Sequence, residues 1–405
     1  MTTASTFSGG ASSLVPQRVA SIDILRALTM VLMIFVNDLW SLKNIPAWLE
    51  HVGRGVDGIG LADVVFPAFL FIVGMSIPFA MENRRKKGDN NLQLFQHIII
   101  RTIALLVMGL FLVNGETINA AGTGISRLLW NTLCCTSFIL IWNSYPKTAN
   151  SRLVLGAKGI AIITLLILAF IYRGGPDENL RHFGPQWWGI LGMIGWAYLV
   201  CASLAAFSKN NLWVILGGWV FFSLLSMASK AGYVPQFLSF IPSPILGGTI
   251  TGFTMGGVLT SLIFRHYRQK GDNKTMTIVF LLFSALLIAL YALTRPHWGL
   301  AKLGATPAWL FLCSALTLLT FVAVYWLADV WKKANWFAII KPAGTDTLLT
   351  YLIPYFAYAT TRFVGIRIPE FMLEGGVGLL KSILFALLCV AITAGLNRAG
   401  VRLKL

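Results

Sequence analysis

Residues 59–81 read Ile59-Gly-Leu-Ala-Asp63-Val-Val-Phe-Pro67-Ala-Phe-Leu-Phe-Ile-Val-Gly74-Met-Ser-Ile-Pro-Phe-Ala-Met81, and a basic block, Arg84-Arg-Lys-Lys87, follows within three residues. Asp63 is the one charge in the run. A helix needs about 20 apolar residues to cross the hydrocarbon core, and a basic flank marks the cytoplasmic end of such a helix. The rest of the chain repeats the pattern. Of its 405 residues 57% are hydrophobic and 12% charged, with mean hydropathy +0.74. A soluble domain has about 45–50% apolar and about 25% charged residues. Polar groups this few cannot cover so much apolar surface, so the solvent is lipid. Disordered chains, disulfide scaffolds and nucleic-acid binders are excluded by the same arithmetic. The net charge of +17 is read as cytoplasmic loops of a membrane protein. Five Cys, two of them adjacent (Cys134, Cys135), offer neither a disulfide framework nor a zinc spacing, and no metal is expected.

Twelve spans emerge on the 20-residue ruler: 23–40, 59–81, 94–113, 124–143, 152–171, 187–206, 211–229, 244–264, 275–293, 308–328, 343–361 and 377–397. The predicted fold class is all-α, a polytopic membrane helical bundle of about 12 transmembrane helices (10–12). Residues 1–22, rich in Ser, Thr and Gly, read as an N-terminal cytoplasmic tail without the apolar core of a signal peptide. Residues 23–405 read as a single transmembrane domain. With that tail in the cytoplasm and the loops alternating, 18 Lys and Arg fall on the cytoplasmic side and 9 on the other. The dense clusters at 84–87, 265–274 and 332–341 all lie on the first side, so both termini are placed in the cytoplasm. Loops of about a dozen residues leave no room for a soluble catalytic domain. No Walker A, HExxH, GxSxG or complete GxGxxG occurs.

Charge inside a span is costly and marks function. Of Arg26, Arg101, Arg127, Lys158 and Lys381, most lie within two turns of an end and are expected to snorkel. Asp23 and Arg26 share a helix face at i, i+3. That spacing suits an internal ion pair that orients the helix, and equally an Arg presented to an anionic ligand from the cytosol. At the other end of span one, Asn37 and Asp38 meet His51 and Asp57 of the loop and Asp63 of span two, five groups at the outer mouth of one hairpin. The set suits acyl transfer. A neutral imidazole takes a proton from an incoming amine or hydroxyl, or carries the acyl group itself. A carboxylate holds its tautomer, and an amide donates to the developing oxyanion. His97 and His266 lie toward the cytoplasm. His182 and His297 sit in outer loops beside Trp187, Trp188 and Trp298, which read as an interfacial aromatic belt; His297 is an alternative lining residue for an acceptor site.

The stretch from Ser21 to Gly74 resembles the heparan-α-glucosaminide N-acetyltransferase family of transmembrane acetyltransferases. The likeness lies in Ser21-Ile-Asp23-Ile-Leu-Arg26-Ala, Phe35-Val-Asn37, His51, and Ala62-Asp63-Val-Val-Phe66-Pro67-Ala-Phe-Leu-Phe-Ile-Val-Gly74. Fainter echoes follow in the family's order around Trp188-Gly189, Gly247–Gly257 and Ala343–Tyr351, closest to bacterial members. The resemblance implies transfer of an acetyl group from cytosolic acetyl-CoA to an amino sugar across the membrane. It maps the family's essential His onto His51, its Asn onto Asn37 and its Asp onto Asp63. The charge count independently puts His51 on the extracytoplasmic side. Where the family has Trp-x-Gly after the His, this chain has Gly53-Arg-Gly-Val-Asp-Gly58. The spans at 124–143 and 152–171 read as an added pair, which preserves sidedness.

The leading expectation is therefore a membrane-embedded acyltransferase of a bacterial cytoplasmic (inner) membrane. Its expected partners are a coenzyme A thioester, an extracytoplasmic carbohydrate and the lipid bilayer, with no nucleic acid. His51, Asn37 and Asp63 are the expected catalytic residues, and Arg26 is expected to meet the CoA phosphates. The alternative is a multi-span secondary transporter of a small solute, which twelve spans and intramembrane Asp residues also suit. Against it, the two halves show no similarity and the polar groups gather at one mouth, away from the midplane. A lipid-handling scaffold without catalysis is a third reading. The Gly247–Gly257 stretch permits close helix contacts within one chain or in a homodimer.

Overall fold

In lipid every backbone N–H and C=O must be satisfied within the chain, which leaves helix as the solution for these sequences. The computed structural model describes residues 19–404. These form α1 (Ala20–Asp38), α2 (Leu61–Lys86), α3 (Asn91–Glu116), α4 (Ala120–Thr123), α5 (Arg127–Trp142), α6 (Ser151–Ile171), α7 (Ile190–Phe207), α8 (Leu212–Lys230), α9 (Ser243–Leu246), α10 (Thr249–Lys270), α11 (Asn273–Trp298), α12 (Pro307–Tyr325), α13 (Lys341–Thr345), α14 (Thr347–Val364) and α15 (Gly375–Arg398). Most of the expected tail, Arg18 included, lies outside the described residues, while its last three residues belong to α1.

Each expected span falls largely on one helix, although 244–264 also takes in the end of α9 and 343–361 that of α13. Among the described residues nine of these are long and apolar enough to cross a membrane: α1 with the turn that follows it, α2, α3, α6, α7, α8, α11, α12 with its continuation, and α15. The other three have physical reasons to read weakly. Helix α5 has only 16 residues. Helix α10 buries Thr249, Thr251, Thr254 and Thr260 among small residues, and α14 carries Thr, Tyr and an internal Pro354.

Burial sorts the helices into an inner and an outer set. In α1, α2, α3 and α12, 61% of the apolar stretch is buried, against 17% in α6 and 22% in α11. Helix α1 sits among α2, α12, α13, α14 and α15, and α2 lies along α10. The α2–α10 crossing is a backbone contact. A Cβ on Gly74 would lie 1.9 Å from the Thr254 carbonyl oxygen, and one on Gly257 1.9 Å from that of Phe71. At this crossing the α10 glycines make their close contact within the chain.

Two of the basic residues expected to snorkel turn inward instead. The Arg101 guanidinium lies 4.7 Å from the Tyr198 ring centroid. Lys381 Nζ is 2.7 Å from Asp38 Oδ2. An intramembrane ammonium with a carboxylate in reach has no need to stretch to the interface.

Candidate active site

The site begins with a glycine. Gly60 caps α2, and a Cβ there would lie 1.9 Å from the Glu50 carbonyl oxygen, so the loop between α1 and α2 rests directly on this backbone. That contact lays His51 over the first turn of α2, where Asp63 waits. Asp63 Oδ2 accepts the N–H groups of Val52 (3.0 Å) and Gly60 (3.1 Å), and Oδ1 lies 2.7 Å from His51 Nδ1. A carboxylate only accepts, so Nδ1 carries a proton toward Asp63, and in the neutral ring Nε2 is the nitrogen that remains to accept one. The Asp63 side chain is 2% exposed and that of His51 49%, the arrangement of a buried orienting group behind an accessible base. Trp309 of α12 donates its indole N–H to the Asp63 carbonyl at 2.9 Å, tying α12 to the start of α2.

A second charge reaches the site from far along the chain. Lys302, between α11 and α12, places Nζ 3.2 Å from His51 Nδ1, 3.6 Å from Asp63 Oδ1 and 3.5 Å from the Ala62 carbonyl oxygen. Burial pushes this ammonium below the ordinary lysine value, and the Asp63 charge opposes that shift. Asp57 pins the Lys302 loop: its Oδ1 accepts the Leu300 N–H at 2.6 Å, its Oδ2 lies 3.2 Å from Arg295 Nε, and Gly58 donates to the Leu300 carbonyl at 2.9 Å. The Leu300 bond, helped by Arg295, holds the Asp57 carboxyl below the usual range.

His51, Lys302, Asn37 and Trp188 line a cavity of about 170 Å³, closed by apolar residues that include Met33, Phe66 and Ile190. It has room for a group the size of an acetyl. Asn37 is exposed there and makes no side-chain hydrogen bond to another described residue. Met33 and Ile190 also wall a larger cavity of about 490 Å³ at the opposite ends of these helices, lined by Arg26, Arg84, Arg101 and Lys404. Arg26 forms the internal ion pair that the sequence allowed. It bonds Asp23 at 3.1 Å, Ser76 Oγ at 2.6 Å and the Gly344 carbonyl at 3.1 Å, and it still borders the cavity. From Arg26 to Asn37 the rise along α1 is about 16 Å.

The five groups expected at the outer mouth thus divide. Asn37, His51 and Asp63 come together. Asp38, one residue and about 100° further round the helix, binds Lys381, Ser382 Oγ (2.6 Å) and Tyr358 OH (2.8 Å) instead. Asp57 braces a loop. Trp188, expected in the interfacial belt, lines the small cavity, and His297 lies against Trp298 and not on that cavity. Lys302 went unread because a single lysine in a loop between two helices carries no local signal.

Sequence comparison adds to this geometry. A family model described as a domain of unknown function (DUF5009) matches residues 18–246, more than half of the chain. The chain belongs to the DUF5009 family. This DUF5009 protein is also similar to the heparan-alpha-glucosaminide N-acetyltransferases of Homo sapiens, 33% identical over 106 residues, and of Mus musculus, 35% identical over 101 residues. The matches take in 25% and 24% of this chain but only 15% and 14% of those relatives, so the DUF5009 chain spans a small part of the length of the curated proteins it matches.

Proposed function

We propose that this protein is a transmembrane acetyltransferase that moves an acetyl group from cytosolic acetyl-CoA to an amino sugar or other carbohydrate on the extracytoplasmic side. In this reading the chain crosses a bacterial cytoplasmic membrane twelve times with both termini inside. The basic residues of the larger cavity, Arg26 among them, take the CoA phosphates, and the thioester extends along α1 to the small cavity. The acceptor amine or hydroxyl attacks the acetyl carbon, its proton passes to His51 Nε2, and the carbon–sulfur bond breaks. The sulfur leaves as CoA and receives that proton. Transfer is direct or through a transient acetyl on Nε2. Asn37 donates to the oxyanion, and Asp63 holds the ring by Nδ1.

One observation carries the reading. A His–Asp pair whose Nε2 bonds no other described residue opens, beside an amide equally unbonded among the described residues, on an acetyl-sized cavity whose wall residues Met33 and Ile190 also bound a basic cavity at the other end of the helices. The test is binding and turnover of radiolabelled acetyl-CoA by purified protein in detergent, with His51→Ala and Asn37→Ala alongside. Saturable binding, with hydrolysis or label transfer lost in His51→Ala and strongly reduced in Asn37→Ala, is the expected result. Folded protein that binds no more label than a mock preparation would sink the reading and make transport the next assay.

A further inference from the structure

Four donors surround the Asp63 carboxylate: Val52 N–H and Gly60 N–H at Oδ2, and His51 Nδ1–H and the Lys302 ammonium at Oδ1. The Lys302 Nζ is nevertheless closer to His51 Nδ1 (3.2 Å) than to Oδ1 (3.6 Å). Nδ1 spends its proton on Asp63, so that approach is a contact between two donors and not a hydrogen bond. A cation fixed there opposes any charge on the ring, while Asp63 favours it. Of the other groups around the pair, Asn37 of α1 and Trp188, just before α7, are neutral, Cys313 of α12 is a buried free thiol, and Asp57 is paired with Arg295.

We propose that Lys302 is a positioning residue, the counter-ion of Asp63 whose like charge keeps His51 uncharged, with its proton on Nδ1 and the Nε2 lone pair turned to the cavity. Its consequence for turnover rests on the acetyltransferase reading; the state of the ring does not. The loop does not depend on Lys302 for its shape. Leu300 is held by Asp57 and Gly58, Ala301 N–H bonds Thr306 Oγ1 at 3.1 Å, and Thr249 Oγ1 donates to the Ala305 carbonyl at 2.7 Å.

The experiment is a pH titration of protein labelled with ¹⁵N-histidine, in which the His51 resonance is assigned by its loss in His51→Gln. In Lys302→Met the cation is gone and Asp63 alone acts on the ring, so the His51 midpoint is expected to rise by about one pH unit or more, a tenfold gain in proton affinity. Lys302→Arg is expected to stay near wild type. With acetyl-CoA, Lys302→Met shifts the acidic limb of the rate profile upward and lowers kcat near neutral pH, with KM for acetyl-CoA unchanged. An unmoved midpoint in Lys302→Met, or an equal rise in Lys302→Arg, overturns the proposal whether or not the protein turns over. A raised midpoint in Lys302→Met alone upholds it even where wild type shows no turnover, and that lack counts against the acetyltransferase reading only.

Discussion

His51 is half exposed, and what separates it from a surface histidine is the saturated carboxylate behind it. Asp63 has its oxygens filled by two backbone N–H groups and the imidazole, so it orients the ring and takes no proton of its own. Asp63→Asn keeps the shape but offers an amide that can face Nδ1 with its donor, allowing the wrong tautomer. Steady-state turnover of acetyl-CoA is expected to fall by about two to four orders of magnitude with acetyl-CoA binding retained. Asp57 makes a prediction of a different kind. Its carboxyl sits below the ordinary value of 3.8, so the bond it forms stabilises the loop above that pH and is lost as pH falls through the depressed value. Hydrogen exchange at the Leu300 amide should therefore stay protected at every pH above 3.8 in wild type and lose that protection throughout in Asp57→Ala, which has no side-chain acceptor.

At the scale of the element, α2 and α10 touch along their backbones. The atoms that a Cβ on Gly74 would strike are the carbonyl oxygen and carbon of Thr254 and the Cα of Gly257, so no side chain can swing aside to make room. Gly74→Ala is expected to cost about 1–3 kcal/mol or more, seen as a lowered melting temperature in detergent. Gly156→Ala on α6, where a Cβ meets nothing within 4 Å, should leave it unchanged. The positions of the helices were legible because hydropathy measures one quantity, the length of chain compatible with lipid. It blurred at α5, which is short, at α10, which buries Thr and Gly against its neighbours, and at α14, which carries Thr, Tyr and Pro354.

For the molecule as a whole, the two cavities belong to opposite ends of the bundle, and the reading stands on which end faces the cytoplasm. All five cysteines are free and buried, so engineered cysteines are expected to stand out against a low background with a membrane-impermeant thiol reagent. Lys87→Cys, next to the basic end, should react only when the cytoplasmic face is open, and Arg54→Cys, three residues from His51, only from outside. Both labelling from one side would overturn the proposed sidedness and with it transfer across the membrane.

By itself the sequence determined that this chain lives in lipid, where its helices lie, and that His51, Asn37 and Asp63 belong to one hairpin, because hydropathy and short spacings are properties of neighbouring residues. It overreached with Asp38 and Asp57, which are as close in the chain but leave the cluster for Lys381 and for Arg295. Proximity along a helix does not fix which side of it a residue faces. Only the tertiary structure decided that Lys302, 251 residues beyond His51, comes within 3.2 Å of it, and that Trp188 lines the same cavity as His51. Those contacts depend on how α7, α11 and α12 pack around α1 and α2, and packing of distant helices leaves no periodic trace in the chain.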